Sequence, residues 1–525
     1  MSVQNKKPVV LVILDGWGFS KKKIGNPIAS ASKPTIDMLT QRYPMTLLQA
    51  SGLAVGMTWG ESGNSEVGHL NIGAGRIVEQ YLSRISRAVQ DGSFFINEAL
   101  VGAFSHAAQA NSRVHLAGLL TSGTAHADFS HIVALLGLAR QKQWPETYLH
   151  LFLDGKDSGL KEAPVLLTKL RSEIEAQGFG KIASLIGRNF AMDRDNNWDL
   201  TRRAYELLAN ASGEKSDDYL ATIQNYYSLG RNDSTMTPIV VANSNFSGIA
   251  ENDAIIFFNF REDSMRQILK PFVEKSFSLF PVKKVGSYIC TMTEHLENSA
   301  AKVAFTPPVV TNGLAEMLES SGKKQLHIAE TEKYAHVTYF FNGLKTEELS
   351  GEVDIFIESN KDHEKEPAMK SREIAQRIAE ELDKNLHDFI ILNFANADTL
   401  AHTGNFEATV KGIEAIDSAL ELIFNAVITQ KDAILIVTAD HGNAESLVYR
   451  SSGEAETRHD DNPVPFYLVG REYQTVKIPE RVAQETGEAS GILGDIAPTI
   501  LELLEISQPE EMTGKSLLPI LVEVT

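Results

Sequence analysis

Sulfur chemistry is nearly absent from this chain. Cys290 is the one cysteine among 525 residues, which excludes an intramolecular disulfide and a thiolate-built metal centre and fits a reducing, cytoplasmic setting. Long apolar runs are missing as well. No stretch approaches the roughly 18 residues a transmembrane helix needs, so no membrane partner is expected. The apolar run 9–14 behind Lys6 and Lys7 superficially resembles a signal peptide, but it is short and ends in Asp15 without a small-residue cleavage site, so it reads as a buried strand. Basic residues are outnumbered, 49 Lys and Arg against 68 Asp and Glu for a formal charge of -19. That balance speaks against a nucleic-acid or anionic-lipid partner. An anionic small molecule must be attracted by local rather than overall charge.

What is present is a rhythm. Short β-rich apolar runs recur at 9–14, 148–153, 182–186, 254–260, 389–394, 433–437 and 464–469, separated by longer amphipathic stretches such as 406–428. This alternation predicts an α/β fold with parallel sheets, in which chemistry collects at the carboxyl ends of strands. Three runs end abruptly in polar residues: Leu14 leads into Asp15, Phe394 into Asn396 and Asp398, and Val437 into Asp440 and His441. A chain of this length is expected to hold more than one domain. Acidic and histidine clusters lie before residue 70 and after residue 395, whereas arginine-bearing segments suited to anions dominate 150–270. If the two ends share one site, the middle is an inserted domain. The expected division is a discontinuous metal-binding domain, 1–78 with 311–525, interrupted by a substrate domain, 79–310, with Pro307-Pro308 as a stiff extended linker. The charge-dense segment 358–367 reads as solvated surface.

The chemistry-bearing residues are few. Asn64-Ser65-Glu66-Val67-Gly68-His69-Leu70-Asn71-Ile72-Gly73-Ala74-Gly75-Arg76 presents a serine without a Gly-x-Ser-x-Gly elbow, so Ser65 needs an adjacent base or a metal to become a nucleophile. Asp398 and His402 are four residues apart, on one face of a helical turn. Asp440 and His441 adjoin at a strand end, and His459 follows before Pro463. With Asp15 this makes three aspartates and three histidines, enough nitrogen and oxygen donors for two divalent ions. Mixed imidazole and carboxylate ligation suits Mn, Zn, Fe or Co better than Mg. Such a pair can activate a serine and neutralise phosphoryl oxygens.

Six blocks carry a resemblance. They are Val12 to Gly18, Asn64 to Arg76, Ile328-Ala329-Glu330-Thr331-Glu332-Lys333-Tyr334-Ala335-His336-Val337, Asn393-Phe394-Ala395-Asn396, Thr438 to Asn443 and Met512 to Leu517. Together they resemble the signature motifs of bacterial 2,3-bisphosphoglycerate-independent phosphoglycerate mutases, nearly end to end. The resemblance implies an alkaline-phosphatase-like metal-binding domain with an inserted second α/β substrate domain. It implies an isomerase, an intramolecular phosphotransferase that interconverts 3- and 2-phosphoglycerate through a phosphoserine at Ser65 in a cytoplasmic, monomeric protein. Two manganese ions are implied, one on Asp398, His402 and His459, the other on Asp15, Ser65, Asp440 and His441. Substrate contacts are implied at His126, Lys156, Asp157, Arg188, Arg194, Arg261 and Lys333, with Asp157 as acid and base and Lys333 on the transferring group.

The chain also departs from the family pattern. Thr121-Ser122-Gly123-Thr124-Ala125-His126-Ala127-Asp128 stands where the family usually has Ser-Asp-Gly-Gly-Val-His-Ser-His, and Lys156 and Ser264 stand where it has arginines. Losing two guanidinium forks predicts a weaker grip on the substrate, with Arg266 as a nearby substitute. The alternatives are a two-metal phosphatase or phosphopentomutase of the same superfamily, and a metal-binding sensor without turnover, which would not need Ser65.

Overall fold

A computed structural model describes residues 7–448, 454–474 and 488–522. The chain forms two compact units, Met1–Glu79 with Pro308–Thr525, and Gln80–Pro307. Among the described residues each unit holds one eight-stranded sheet. None of their helices is long and apolar enough to cross a membrane.

In the first unit the central strand is Val9–Leu14, every residue of it buried. It pairs in parallel with Phe389–Phe394 on one side and Ile434–Thr438 on the other. Gln325–Glu330 lies beyond Phe389–Phe394, and Glu352–Ile357 forms that edge, both parallel. Val9–Leu14, Phe389–Phe394 and Ile434–Thr438 are buried along their whole length, as strands of a sheet covered on both faces are. Five neighbouring strands therefore end at the same edge. Beyond Ile434–Thr438 the sheet turns mixed, because Val464–Val469 pairs antiparallel to it and to Met45–Gln49. A parallel return needs a crossover, and no helix is present between Thr438 and Val464 among the described residues.

The second unit repeats the device. Ala254–Phe257, Val114–Leu120, Thr147–Leu153 and Lys181–Gly187 are adjacent and parallel, and Ile239–Val241 pairs antiparallel to the last. The strand Val114–Leu120 is wholly buried but not apolar. His115 Nε2 meets Asp253 Oδ2 at 3.1 Å, His115 Nδ1 meets His150 Nε2 at 2.9 Å, and His150 Nδ1 meets Ser184 Oγ at 2.7 Å. This chain of polar groups crosses three strands, and Arg113 closes it with a contact from Nη2 to Asp253 Oδ2 at 2.7 Å.

Helix Ser65–Ala74 sets the position of Ser65. Asn64 caps it by accepting from the Val67 amide at 2.9 Å, and Gly75 ends it at φ +62. All of its residues except Glu66 are buried, so its register is set by backbone approach. A Cβ on Gly68 would lie 2.6 Å from the Asp440 carbonyl oxygen, and one on Gly73 2.0 Å from that of Phe341. Gly73→Ala should therefore destabilise the chain by about 1–3 kcal/mol, because rigid backbone must move. Gly137→Ala, whose Cβ would make an ordinary 3.4 Å contact with Phe95, should be neutral or stabilise by up to about 1 kcal/mol through the unfolded state. Denaturant midpoints of the two variants give the comparison, and equal effects would mean that the close approach at Gly73 is not constraining.

Candidate active site

Four adjacent strand ends of the first unit deliver the candidate residues. Lys333 follows Gln325–Glu330, Asp398 follows Phe389–Phe394, Asp15 follows Val9–Leu14, and Asp440 and His441 follow Ile434–Thr438. The side chains of Asp15, Asp440 and His441 are wholly buried, and that of Asp398 is nearly so. Lys333 Nζ donates to Asp15 Oδ1 at 2.6 Å, to Asp398 Oδ2 at 2.7 Å and to Ser65 Oγ at 2.7 Å. Burial works against the Lys333 ammonium, but Asp15 and Asp398 outweigh it and hold its pKa well above the usual lysine value. Burial likewise opposes charge on Asp15, yet Lys333 keeps that carboxyl ionised, far below its ordinary range.

Ser65 Oγ donates to Asp15 Oδ1 at 3.1 Å and lies 3.0 Å from His441 Nε2. His441 Nε2 is 3.4 Å from Asp15 Oδ1 and 3.6 Å from Asp440 Oδ2. Burial would lower the His441 pKa, but Asp440, Asp15 and Asp398 push it up to about 10, a measure of how strongly the pocket attracts positive charge. Beside this group, His402 Nε2 and His459 Nε2 lie 3.0 Å apart, at 3.3 and 3.4 Å from Asp398 Oδ1. His402 Nδ1 donates to the Thr457 carbonyl and His459 Nδ1 to that of Gly63, each at 2.8 Å. With both Nδ1 protons so committed, the two Nε2 atoms and a carboxylate oxygen converge on one point, where only a cation relieves their repulsion. Three carboxylates and three imidazoles without a thiol fit divalent metal ions.

Residues to which sequence reasoning gave no role complete the cluster. Asn393 Nδ2 donates to Asp15 Oδ2 at 2.8 Å and approaches His69 Nε2 at 3.0 Å, so His69 carries its proton on Nδ1, 3.2 Å from Asp440 Oδ2. Asn443 Nδ2 donates to Asp398 Oδ1 at 2.7 Å. Glu445 accepts from the amides of Gly18 and Asn443 at 3.0 and 2.9 Å, and burial pushes its pKa up to about 7. Asn393, Asn443 and His69 all lie inside the recognised motif blocks, and the strand-end positions of Asn393 and Asn443 were the available signal.

The second unit gathers its candidates at strand ends too. His126 follows Val114–Leu120, Asp157 follows Thr147–Leu153, Arg188 follows Lys181–Gly187, and Arg261 follows Ala254–Phe257. Arg188 Nη1 contacts Asp157 Oδ2 at 2.6 Å and Asp154 Oδ1 at 2.5 Å, and His126 Nε2 is 3.7 Å from Asp157 Oδ2. Burial and then the field of Arg188 bring the His126 pKa down to about 4, which leaves it neutral at pH 7. Arg261 Nε lies 3.1 Å from Asp263 Oδ1, and Arg194 pairs with the same carboxylate. Asp154, which sequence reasoning missed, organises the loop. Its carboxylate accepts from Thr121 Oγ1 at 2.6 Å and from the amides of Lys156, Asp157 and Ser158. The Lys156 side chain is exposed. Ser264 is buried, with Oγ donating to the Arg261 carbonyl at 2.6 Å, so the two departures from the family pattern differ in kind.

Known proteins resemble the chain over its full length. A model of the metalloenzyme superfamily matches residues 7–508. The 2,3-bisphosphoglycerate-independent phosphoglycerate mutase of Moorella thermoacetica is 42% identical, covering 99% of both chains. The enzyme of the same name from Clostridioides difficile is 40% identical over 98% of this chain and 99% of its own. Among solved structures, Leishmania mexicana phosphoglycerate mutase at low cobalt concentration matches 98% of both chains, with a TM-score of 0.69 and 25% identity.

The hydrogen bond from Asn443 orients Asp398, the carboxylate shared by both groups of donors. Asn443→Ala should weaken divalent-metal binding by about 10–100-fold, as read by equilibrium dialysis against Mn2+. Unchanged affinity would mean that Asp398 needs no such orientation.

Proposed function

This chain belongs to the 2,3-bisphosphoglycerate-independent phosphoglycerate mutase family of the metalloenzyme superfamily, and from that premise we propose that it is an isomerase moving a phosphoryl group between the 3- and 2-hydroxyls of glycerate by way of Ser65. The observation that carries this reading is the setting of Ser65 Oγ, 2.7 Å from an ammonium and 3.0 Å from an imidazole nitrogen, in the first turn of a helix. A helix N-terminus favours the dianion that a phosphorylated Ser65 would carry.

In the forward direction Ser65 gives up its hydroxyl proton along its hydrogen bond to Asp15 Oδ1, Oγ attacks the phosphorus of 3-phosphoglycerate, and the bond from phosphorus to the 3-oxygen breaks, so that the departing alkoxide takes a proton. The 2-hydroxyl of the same glycerate then gives up a proton and attacks the phosphoserine, the bond from phosphorus to Ser65 Oγ breaks, and Ser65 takes its proton back as 2-phosphoglycerate is released. Asp157 is assigned both proton transfers, supported by its contact with Arg188 and its nearness to His126. Arg188, Arg194, Arg261 and Lys156 bind carboxylate and phosphate oxygens, the arginines through paired N–H donors. Lys333 balances charge on the transferring group. Two divalent ions, Mn2+ in this reading, held by Asp398, His402 and His459 and by Asp15, Ser65, Asp440 and His441, would lower the serine pKa and neutralise phosphoryl oxygens. The residues Met1–Glu79 with Pro308–Thr525 then form the metal-binding domain, and Gln80–Pro307 the substrate domain. The acidic balance and single cysteine support a cytoplasmic protein acting on a small molecule, without a nucleic-acid partner.

With Mn2+ and 3-phosphoglycerate, and without 2,3-bisphosphoglycerate, the product should be 2-phosphoglycerate. Release of inorganic phosphate instead would make the protein a hydrolase. Ser65→Ala should lower turnover by roughly 10⁴-fold or more while substrate still binds.

Lys156→Arg should lower the Michaelis constant by up to about tenfold, because it restores a forked contact on an exposed side chain. Ser264→Arg should destabilise the second unit, because it forces a guanidinium into a buried turn. Steady-state kinetics and thermal melts of the two variants separate these effects, and an improved Michaelis constant in Ser264→Arg would contradict the geometry.

A further inference from the structure

A further group of side chains able to ligate a metal lies on the outer strands of the first unit's sheet and shares no residue with the candidate active site. Gln325–Glu330 and Glu352–Ile357 pair in parallel, with Gln325 beside Glu352 and His327 beside Asp354. The two-residue period of strands places all four on one face. The chain between the strands supplies contacts to them. Asn342 Nδ2 donates to Glu352 Oε1 at 2.7 Å, the Phe341 ring packs edge-on to His327 with centroids 5.4 Å apart, and the Tyr334 hydroxyl approaches Asp354 Oδ2 at 3.5 Å.

The protonation pattern follows from the hydrogen bonds. Gln325 Nε2 donates to the Ala315 carbonyl at 3.1 Å, which turns Gln325 Oε1 toward His327 Nε2 at 3.2 Å. An amide oxygen only accepts, so the imidazole proton is on Nε2 and the lone pair on Nδ1. That Nδ1 faces Glu352 Oε1 at 3.3 Å and Asp354 Oδ1 at 3.9 Å. His327 is wholly buried, and neither its Nδ1 nor Asp354 Oδ1 has a hydrogen-bond partner. Burial takes the His327 pKa down to about 3 against the pull of the Val337 carbonyl. Burial and then the charge of Glu352 push the Asp354 carboxyl up to about 7. Three electron-pair donors thus converge on one point, as they do at Asp398, His402 and His459.

We propose that His327, Glu352 and Asp354 bind a further divalent cation of the borderline class, Zn2+ or Mn2+, which ties the edge strand Glu352–Ile357 to its neighbour. One imidazole with two carboxylates suits these ions, and the Gln325 hydrogen bond to the far ring nitrogen is the support that ligating histidines have. The segment joining the two strands carries Lys333, so a cation here would also steady that residue's backbone.

The test uses the full-length chain, stripped with chelator and reloaded with stoichiometric Zn2+. Crystals should show anomalous density about 2.0–2.2 Å from His327 Nδ1 and the carboxylate oxygens. Wild type should retain one more equivalent per chain than Asp354→Asn. Failure of the two-metal reading of the active site would lower both counts equally and leave that difference of one intact. Absence of the density, or equal counts in the two chains, overturns the proposal and leaves a shared proton as the cation. If Asp354→Asn does not fold, the wild-type crystal alone decides.

Discussion

Three aspartate side chains, Asp15, Asp398 and Asp440, share a pocket from which water is largely excluded, and much of the first unit is organised around that electrostatic burden. Burying an unpaired carboxylate costs several kcal/mol, and three together repel one another as well. Lys333 supplies positive charge among them, while Asn393 and Asn443 supply oriented N–H donors. The glycines at 68 and 73 let the serine-bearing helix approach closely enough for Ser65 to join the cluster. A site so rich in negative charge is a cation trap first. The Ser65 hydroxyl stands in the same field.

Both units reach their chemistry by the same topological route. In each, adjacent parallel strands end at one edge, so residues distant in sequence arrive together without long loops. The first unit collects carboxylates and imidazoles there, which suit metal ions. The second collects arginines that are themselves held by carboxylates, Arg188 by Asp154 and Asp157, and Arg261 with Arg194 by Asp263. An acidic chain can thus attract an anion by fixing a few guanidinium groups in place, whatever its overall charge.

The comparisons bear out the family resemblance and the α/β class that the motif blocks and apolar rhythm pointed to. The strands at 9–14, 389–394 and 464–469 were legible because they are almost wholly apolar runs. Val114–Leu120 and Gln325–Glu330 were not, because His115, Gln325 and His327 interrupt the apolar pattern with side chains whose partners lie on other strands. The antiparallel placement of Val464–Val469 was equally hidden, since pairing direction depends on the path of the connection rather than on the strand's own residues.

The sequence by itself determined the inventory: which residues can ligate a metal, which serine lies in a motif block, and which runs must be buried. These follow from side-chain chemistry and local periodicity, and both are written along the chain. Only the tertiary structure decided that Asp154 organises the arginine loop, that Ser264 is buried in a turn rather than facing outward, and which nitrogen of His327 carries the proton. Each of those depends on a hydrogen bond to a residue remote in sequence or on backbone geometry, and local composition carries no record of either.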